Sequence, residues 1–164
     1  MTLQWTTHIA HTIKKEANWS TQIRRAVAPS WGLTPKYIHK FYKSVTIPKV
    51  LYAVDIWGIL TALEETEPHK KGTSIAVSKL TTTQRAGMLA MTGCLQTTPM
   101  DLLDLHADTL PIHLEINKHC HRAALCSATL PPAHPLHKPA RRCVAHAIKR
   151  HKSPLHNLMN TYNV

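Results

Sequence analysis

The sequence has few aromatic residues, few glycines and few acidic residues, and each shortage narrows the folds and functions open to it. Aromatic side chains make up 5% of its 164 residues, so a core must rest mainly on aliphatic side chains and methionine. Only 5 glycines are present, and no segment alternates polar and apolar residues as half-buried strands do. These shortages predict an all-α fold, an irregular multi-helix bundle of about six helices, formed as one body or as two small lobes joined near residues 64–74.

Motifs that mark common catalytic sites are also missing. The sequence contains no glycine-rich phosphate loop, no G-x-S-x-G elbow and no H-E-x-x-H motif. Two-metal nucleotidyl transfer needs clustered carboxylates, whereas the 9 acidic residues lie mostly at 64–67 or at helix starts such as Asp101. Asp55 lies alone in an apolar segment, where we expect a partly buried structural carboxylate. We therefore predict no catalytic residue and no enzyme activity.

Cysteine and histidine are spaced unlike a disulfide framework or a metal site. The 4 cysteines follow no familiar disulfide pattern. Zinc sites bring closely spaced ligand pairs onto one ion, whereas His119, Cys120 and His121 are adjacent and face different sides of a helix. We predict no metal ligand and no cofactor. A histidine-rich metal-binding protein remains an alternative, because most of the 13 histidines lie between His106 and His156.

Long hydrophobic runs are absent as well. The opening segment MTLQWTTHIAHTIKK has no continuous apolar stretch of the kind found in signal peptides. The most apolar window, Val50 to Leu63, is too short for a membrane span and contains Asp55. We therefore expect an intracellular protein with reduced cysteines, in the nucleus or the cytoplasm, that has no membrane partner.

Positive charge is what the sequence has in excess. Lys and Arg number 20 against 9 acidic residues, which gives a formal net charge of +11. The charge is uneven: residues 1–60 carry 8 basic and 2 acidic groups, 61–109 carry 4 and 6, and 110–164 carry 8 and 1. Two basic ends around an acidic middle favour a polyanionic partner, and nucleic acid is a more common partner of this kind than a membrane.

The stretch from Trp31 to Gly58 organises the chain. Thr34 followed by Pro35 predicts a helix start. One face of this helix is apolar and consists of Ile38, Phe41, Tyr42 and Val45. The opposite face is cationic and consists of Lys36, Lys40 and Lys43. Pro48 should then break or kink the helix, and a buried central helix should follow from Val50 to Leu60.

Patterns elsewhere predict the remaining organisation. Residues 2–28 form a first helix with a core stripe of Trp5, Ile9, Ile13, Trp19, Ile23 and Val27. A polar loop at 64–74 separates a helical unit at 1–63 from another at 75–130, in which Gly93 ends one helix and Thr98 caps the next. Residues 131–139 form a proline-rich linker, and 140–164 form a basic C-terminal helix and tail with a cap at Ser153.

Clustered cations on these helices are candidate phosphate contacts. They are Arg24, Arg25, Lys36, Lys40, Lys43, Lys49, Arg141, Arg142, Lys149, Arg150 and Lys152. Binding through them would depend strongly on salt and little on sequence, because the phosphate backbone carries no base information. Two alternatives remain: a merely solvated helix face, or a stand-alone basic helical adaptor that binds an acidic protein or nucleic acid.

Several short motifs follow one another in a distinctive order. The most specific is P-x-V-L-Y-x-x-x-I-W-G from Pro48 to Gly58, preceded by WGL-x-P from Trp31 to Pro35. The others are L-x-W-x-x-H-I at Leu3 to Ile9, Gln84-Arg85, Thr92-Gly93, Thr97-Thr98-Pro99, Leu110-Pro111-Ile112 and Leu130-Pro131-Pro132 with His134-Pro135-Leu136. Together they resemble the segment between the polymerase core and the RNase H domain of non-LTR (LINE-like) retrotransposon reverse transcriptases of the fungal type.

The resemblance implies an accessory role in a larger polyprotein. It implies a thumb-like unit at 1–63 and a connection unit at 75–130 that contact the RNA/DNA template–primer backbone, beside polymerase and RNase H domains. Its signature residues are Trp31, Gly32, Pro35, Pro48, Leu51, Tyr52, Asp55, Trp57 and Gly58, with Asp55 where the family often has glutamate. The polymerase motif F/Y-x-D-D is absent from this sequence, so the expectation is a non-catalytic fragment from a transposable element.

Overall fold

A computed structural model describes residues 6–27, 32–58, 71–145 and 153–163 of the chain. This described part is all-α, as predicted, and its one β feature is an isolated antiparallel bridge between Val27 and Gly32. It contains eight helices rather than about six when the continuous helix from Pro35 to Val50 is counted once. None of the helices in these ranges is long and apolar enough to cross a membrane.

Three helical segments, α1, α5 and α7, are long, and the others are short. In chain order, all the segments are α1 Thr6–Ala26, α2 Pro35–Phe41, α3 Ile47–Val50, α4 Val54–Trp57, α5 Lys71–Thr92, α6 Met100–His106, α7 Ile112–Ala128, α8 His137–Ala145 and α9 Pro154–Tyr162. A π-helical turn, Tyr42–Thr46, joins α2 to α3 without a break.

The chain divides into two compact units, and each is built from two separate stretches of sequence. Unit 1 comprises Met1–Tyr52 and Ser74–Ile112, and unit 2 comprises Ala53–Thr73 and His113–Val164. These units differ from the consecutive segments 1–63, 75–130 and 140–164 expected from the sequence. The first division falls at Ala53, a non-glycine residue in the left-handed region with φ of 56°, where the chain turns sharply.

Unit 1 has a core of aliphatic and methionine side chains around one tyrosine. Ile38, Tyr42, Leu80, Met88 and Leu103 are almost fully buried there. Burial of side chains of this size contributes about 1.5–3 kcal/mol each. The predicted aliphatic core is therefore present, and Tyr42 is the aromatic residue at its centre.

The buried face of α1 is polar, which contradicts the predicted stripe. Thr12, Glu16 and Ser20 are buried together with Ile23, whereas Ile9, Ile13 and Trp19 are only half-buried. The reason is tertiary: the Thr83 hydroxyl of α5 hydrogen-bonds the Glu16 carboxyl, so α5 covers the polar side of α1. Trp5 lies outside the described residues.

Pro48 was predicted to break or kink the helix, and the break is wrong, because the helix widens ahead of the proline instead. Proline has no N–H, and its ring would collide with the carbonyl four residues back in a regular α-helix. Here the Ile47 N–H donates to the Tyr42 carbonyl oxygen, a bond that spans five residues and closes a π turn. The wider turn lets the helix continue through Pro48 to Val50.

The predicted central helix from Val50 to Leu60 is also wrong. The residues Leu51, Tyr52 and Ala53 form a turn, and only Val54–Trp57 is helical after it. Apolar composition marked this segment as buried but could not reveal the turn. The last two residues of the predicted helix, at positions 59 and 60, lie outside the described residues.

Local end signals predicted some helix ends correctly and others not. Gly93 ends α5 with φ of 68°, and the Ser153 hydroxyl caps α9 by accepting from the His156 N–H, both as predicted. The residue before α6 is Pro99 rather than the predicted cap Thr98. The predicted proline-rich linker is partly wrong, because α8 begins at His137 and includes Pro139 in its first turn, where a missing N–H costs little.

Unit 2 gathers α4, α7, α8 and α9 around small and apolar side chains. Trp57, Ile116 and Ala124 are nearly inaccessible to solvent, and Ala140, Cys143 and Met159 form a second buried cluster. The Tyr162 hydroxyl donates to the Asn117 side-chain oxygen at 2.5 Å and thereby ties the end of α9 to α7. The helices α8 and α9 are thus part of this compact unit.

Candidate nucleic-acid interface

The helix α2 has one face in the core of unit 1 and one face in solvent. Ile38 and Tyr42 are 1% and 0% exposed, whereas Lys36 and Lys40 are exposed. Phe41 departs from the predicted apolar face, since 36% of it is exposed. The two lysines are one turn apart on the same side of α2, so their ammonium groups lie where a phosphate backbone could pass.

Lys43, the third lysine of the predicted row, is held by an aspartate from another part of unit 1. Its ammonium lies 3.0 Å from the Asp108 carboxylate, and the His39 Nε2 atom lies 3.4 Å from the Asp108 carbonyl oxygen. The hydrogen bond and charge of Lys43 lower the pKa of Asp108 below its usual value. Lys43 is therefore partly neutralised, and Lys36 and Lys40 contribute more of the available positive charge.

Lys49 also has a partner within unit 1. Its ammonium lies 4.2 Å from the centroid of the Trp19 ring, a cation–π contact. The Trp19 ring in turn packs against Phe41, with centroids 5.5 Å apart and planes tilted by 55°. Because a cation–π contact leaves the ammonium charged, Lys49 can still attract a phosphate from this position.

A cleft of about 370 Å³ opens beside the lysines of α2. It is lined by Lys36, His39, Cys94, His106 and Asp108, together with residues at the end of α5. Within the described ranges, no three histidine, cysteine, aspartate or glutamate side chains come close enough to hold a metal ion. The lining of the cleft combines polar and apolar side chains.

The remaining predicted cations are scattered. Arg24 and Arg25 are exposed in the last turn of α1, and Arg24 borders a cavity of about 240 Å³ against α5. Arg141 and Arg142 are exposed on α8 of unit 2. Lys149, Arg150 and Lys152 lie outside the described residues. Among the predicted cations that the structure describes, Lys36, Lys40, Lys43 and Lys49 lie along one continuous helical stretch.

The signature residues that the structure describes are divided between the two units. Gly32 precedes α2 and Pro35 begins it. Pro48 is the second residue of α3 and Leu51 follows its end, while Trp31 lies outside the described residues. Tyr52 is the last residue of unit 1 in this stretch, and Asp55, Trp57 and Gly58 belong to α4 and its end in unit 2. The P-x-V-L-Y-x-x-x-I-W-G motif therefore crosses the division between the two units.

Asp55 is half-buried in the first turn of α4, close to a buried cysteine. Burial first, and the Asp55 charge second, raise the pKa of the Cys120 thiol to about 11. Cys120 also points at the Val54 carbonyl oxygen, 3.6 Å away. A thiol with so high a pKa stays protonated at neutral pH, so it is not a nucleophile there.

Two adjacent polar residues of α5 connect three of the short motifs within unit 1. The Gln84 side-chain amide donates to the Leu110 carbonyl oxygen at 2.8 Å. The Arg85 Nη2 atom donates to the carbonyl oxygens of Gln96 and Thr98, at 2.6 and 2.7 Å. Arg85 is thereby engaged with backbone acceptors, which explains the motif Gln84-Arg85 by folding.

Sequence reasoning missed two notable side chains. Tyr37 is 59% exposed between Lys36 and Lys40 on α2, and its helical position away from Ile38 and Tyr42 could have indicated this. Glu16 is buried, and burial raises its pKa to about 7, partly offset by the Thr83 hydrogen bond. No local pattern signals the burial of Glu16, because α5 covers it from a distant part of the chain.

Comparison with known proteins found no matching family model, no matching curated protein and no matching solved structure.

Proposed function

We propose that this chain is a non-catalytic helical module that contacts the phosphate backbone of nucleic acid through α2 and its neighbours. The observation that carries the proposal is the pair Lys36 and Lys40, exposed on the face of α2 opposite the buried Ile38 and Tyr42. The core fixes the orientation of α2, so the two cations keep a constant direction toward a partner. Lys49 lies on the continuation of the same helix and adds a third charge.

The charge of unit 1 supports a polyanionic partner. The unit contains 10 Lys and Arg residues and 4 acidic residues. One of those acids, Glu16, is buried with a raised pKa, and another, Asp108, is paired with Lys43. The field outside the unit is therefore dominated by cations, which favours association with a phosphate backbone.

The motif order supports a more specific assignment within this proposal. The chain resembles the helical thumb and connection region of non-LTR retrotransposon reverse transcriptases, which implies the RNA/DNA template–primer as the partner. The parent polyprotein would supply the polymerase and RNase H domains. In this assignment the module holds nucleic acid and leaves the chemistry to those domains.

The proposal is tested by titrating a fluorescent RNA–DNA hybrid with the purified chain at several salt concentrations. Backbone contacts predict that log affinity falls linearly with log salt, with a slope that counts the phosphates contacted. The double variant Lys36→Gln/Lys40→Gln should weaken binding and reduce the slope by about two.

The matched control is the double variant Lys14→Gln/Lys15→Gln, which removes the same charge from an exposed part of α1. It should weaken binding less, because it changes the net charge without touching the proposed surface. Affinity that is independent of salt, or equal losses in both double variants, would contradict the proposal. Tight binding of an acidic peptide in place of the hybrid would favour a basic adaptor for acidic proteins.

A further inference from the structure

Tyr37 is a large aromatic side chain that the core of unit 1 does not use. It is 59% exposed on α2, where its neighbours along the helix surface are Lys40, three residues on, and Phe41, four residues on. A single exposed tyrosine is common in proteins and calls for no explanation. The feature that calls for an explanation is its place beside the exposed Lys40, which shares its side of α2 with Lys36.

Two further aromatic side chains follow: Phe41, one turn after Tyr37 on α2, and the half-buried Trp19 of α1. Phe41 is 36% exposed, and its ring packs against Trp19 with centroids 5.5 Å apart. The Lys49 ammonium covers the Trp19 ring at 4.2 Å. We call the three side chains Tyr37, Phe41 and Trp19 the aromatic ledge. Lys40 is next to Tyr37 on the surface of α2, and Lys49 contacts the Trp19 ring.

An aromatic surface with cations at its side suits one class of nucleic acid better than others. Every nucleobase has a π face, so a side-chain ring can stack on any base with little sequence preference. In a duplex the base faces are already stacked on one another and are not available. The phosphates of a strand can reach the adjacent lysines whether that strand is single or part of a duplex.

We propose that the aromatic ledge binds unpaired nucleotides, with Tyr37 stacking on a base while Lys36 and Lys40 hold the adjoining phosphates. This inference rests on the proposed function, since it assigns a strand state to the same surface. The chain then prefers single-stranded nucleic acid, or a single-stranded segment beside a duplex, over a continuous duplex.

The test compares the binding of oligo(dT) with that of an RNA–DNA hybrid of equal length, by fluorescence anisotropy at one moderate salt concentration. Tyr37→Ala should weaken binding of oligo(dT) by about 5- to 20-fold and change binding of the hybrid by less than about twofold. Tyr37→Phe keeps the ring and should retain the affinity for oligo(dT). Leu105→Ala, at an exposed apolar residue of α6, is the matched control and should change neither.

The outcomes separate this inference from the proposed function. If Lys36→Gln/Lys40→Gln weakens binding of both probes while Tyr37→Ala weakens neither or weakens both equally, the ledge has no selectivity and the inference is wrong. If the lysine variant leaves both affinities unchanged, the proposed function itself fails. Selective loss of oligo(dT) binding in Tyr37→Ala, with retention in Tyr37→Phe, supports both.

Discussion

The ammonium of Lys43 and the carboxylate of Asp108 lie 3.0 Å apart although 65 residues separate them in the chain. This ion pair joins the π turn after α2 to the turn after α6, and it places a negative charge beside Lys43. Both side chains are largely solvated, so the pair contributes little to stability. Its larger effect is on the charge that unit 1 presents to a polyanion.

Removing the Asp108 charge should strengthen nucleic-acid binding. In Asp108→Asn, Lys43 loses its carboxylate partner and becomes available to a phosphate, so the affinity for an RNA–DNA hybrid should rise severalfold and the salt dependence should steepen by about one phosphate contact. Asparagine suits this site, because Asp108 has φ of 46° and asparagine tolerates the left-handed region. Asp101→Asn, an exposed site on α6, is the control. Equal gains in both variants would mean that net charge alone is responsible.

Glu16 makes the stability of unit 1 depend on pH in an unusual direction for a carboxyl group. Its pKa is about 7 in the folded chain against an ordinary value of 4.5, so the folded state binds a proton that the unfolded state has lost between these values. The contribution of Glu16 to the free energy of unfolding should therefore fall by roughly 3 kcal/mol as pH rises through this window, and should stay level above it. Urea unfolding at a series of pH values measures the effect.

The variant Glu16→Gln isolates this contribution from the histidines that titrate in the same range. It cannot ionise, so the difference in unfolding free energy between variant and wild type should grow with pH from about 4.5 to about 7. Thr83→Val removes a hydrogen bond that lowers the pKa of Glu16, and should shift the window to higher pH. A difference that does not vary with pH would show that Glu16 is solvated.

The sequence was informative where local chemistry decides and uninformative where distant segments meet. Pro35 and Gly93 marked helix ends because a ring-locked φ and a positive φ act within one turn. Lys36 and Lys40 were placed on the solvent face of α2 because Ile38 and Tyr42 fix the other face. The partner of Lys43 and the cover over Glu16 come from the turn after α6 and from α5, which no local pattern could reveal.

Two glycines should respond oppositely to alanine. At Gly87 in α5, a new Cβ would lie 3.4 Å from the nearest Tyr42 ring carbon and 3.5 Å from the Ser20 hydroxyl, ordinary contact distances. Gly87→Ala should therefore stabilise unit 1 by about 0.5–1 kcal/mol through the lower backbone entropy cost in a helix. Thermal melting measures the gain.

Gly58→Ala is the contrasting case. Its Cβ would lie 2.6 Å from a Val54 side-chain carbon, 2.7 Å from the Val54 carbonyl oxygen and 3.1 Å from Ile116, so backbone must move. We expect unit 2 to lose about 1–3 kcal/mol, as overpacked cores do. A neutral result at Gly58 would mean that the turn after α4 adjusts freely.

Arg85 belongs to the short motif Gln84-Arg85, and a substitution there can distinguish a role in folding from a role in nucleic-acid binding. Its guanidinium donates from one nitrogen, Nη2, to the carbonyl oxygens of Gln96 and Thr98, and the ammonium of a lysine, one bond closer to the backbone, does not extend as far. In Arg85→Lys the charge is kept but both bonds are weakened, which should cost about 1–3 kcal/mol and speed amide hydrogen exchange in the loop after Gly93. Binding of an RNA–DNA hybrid should stay within about twofold, because Arg85 is turned toward backbone acceptors and not toward phosphates. A loss of binding with unchanged exchange would instead assign Arg85 to the nucleic-acid surface.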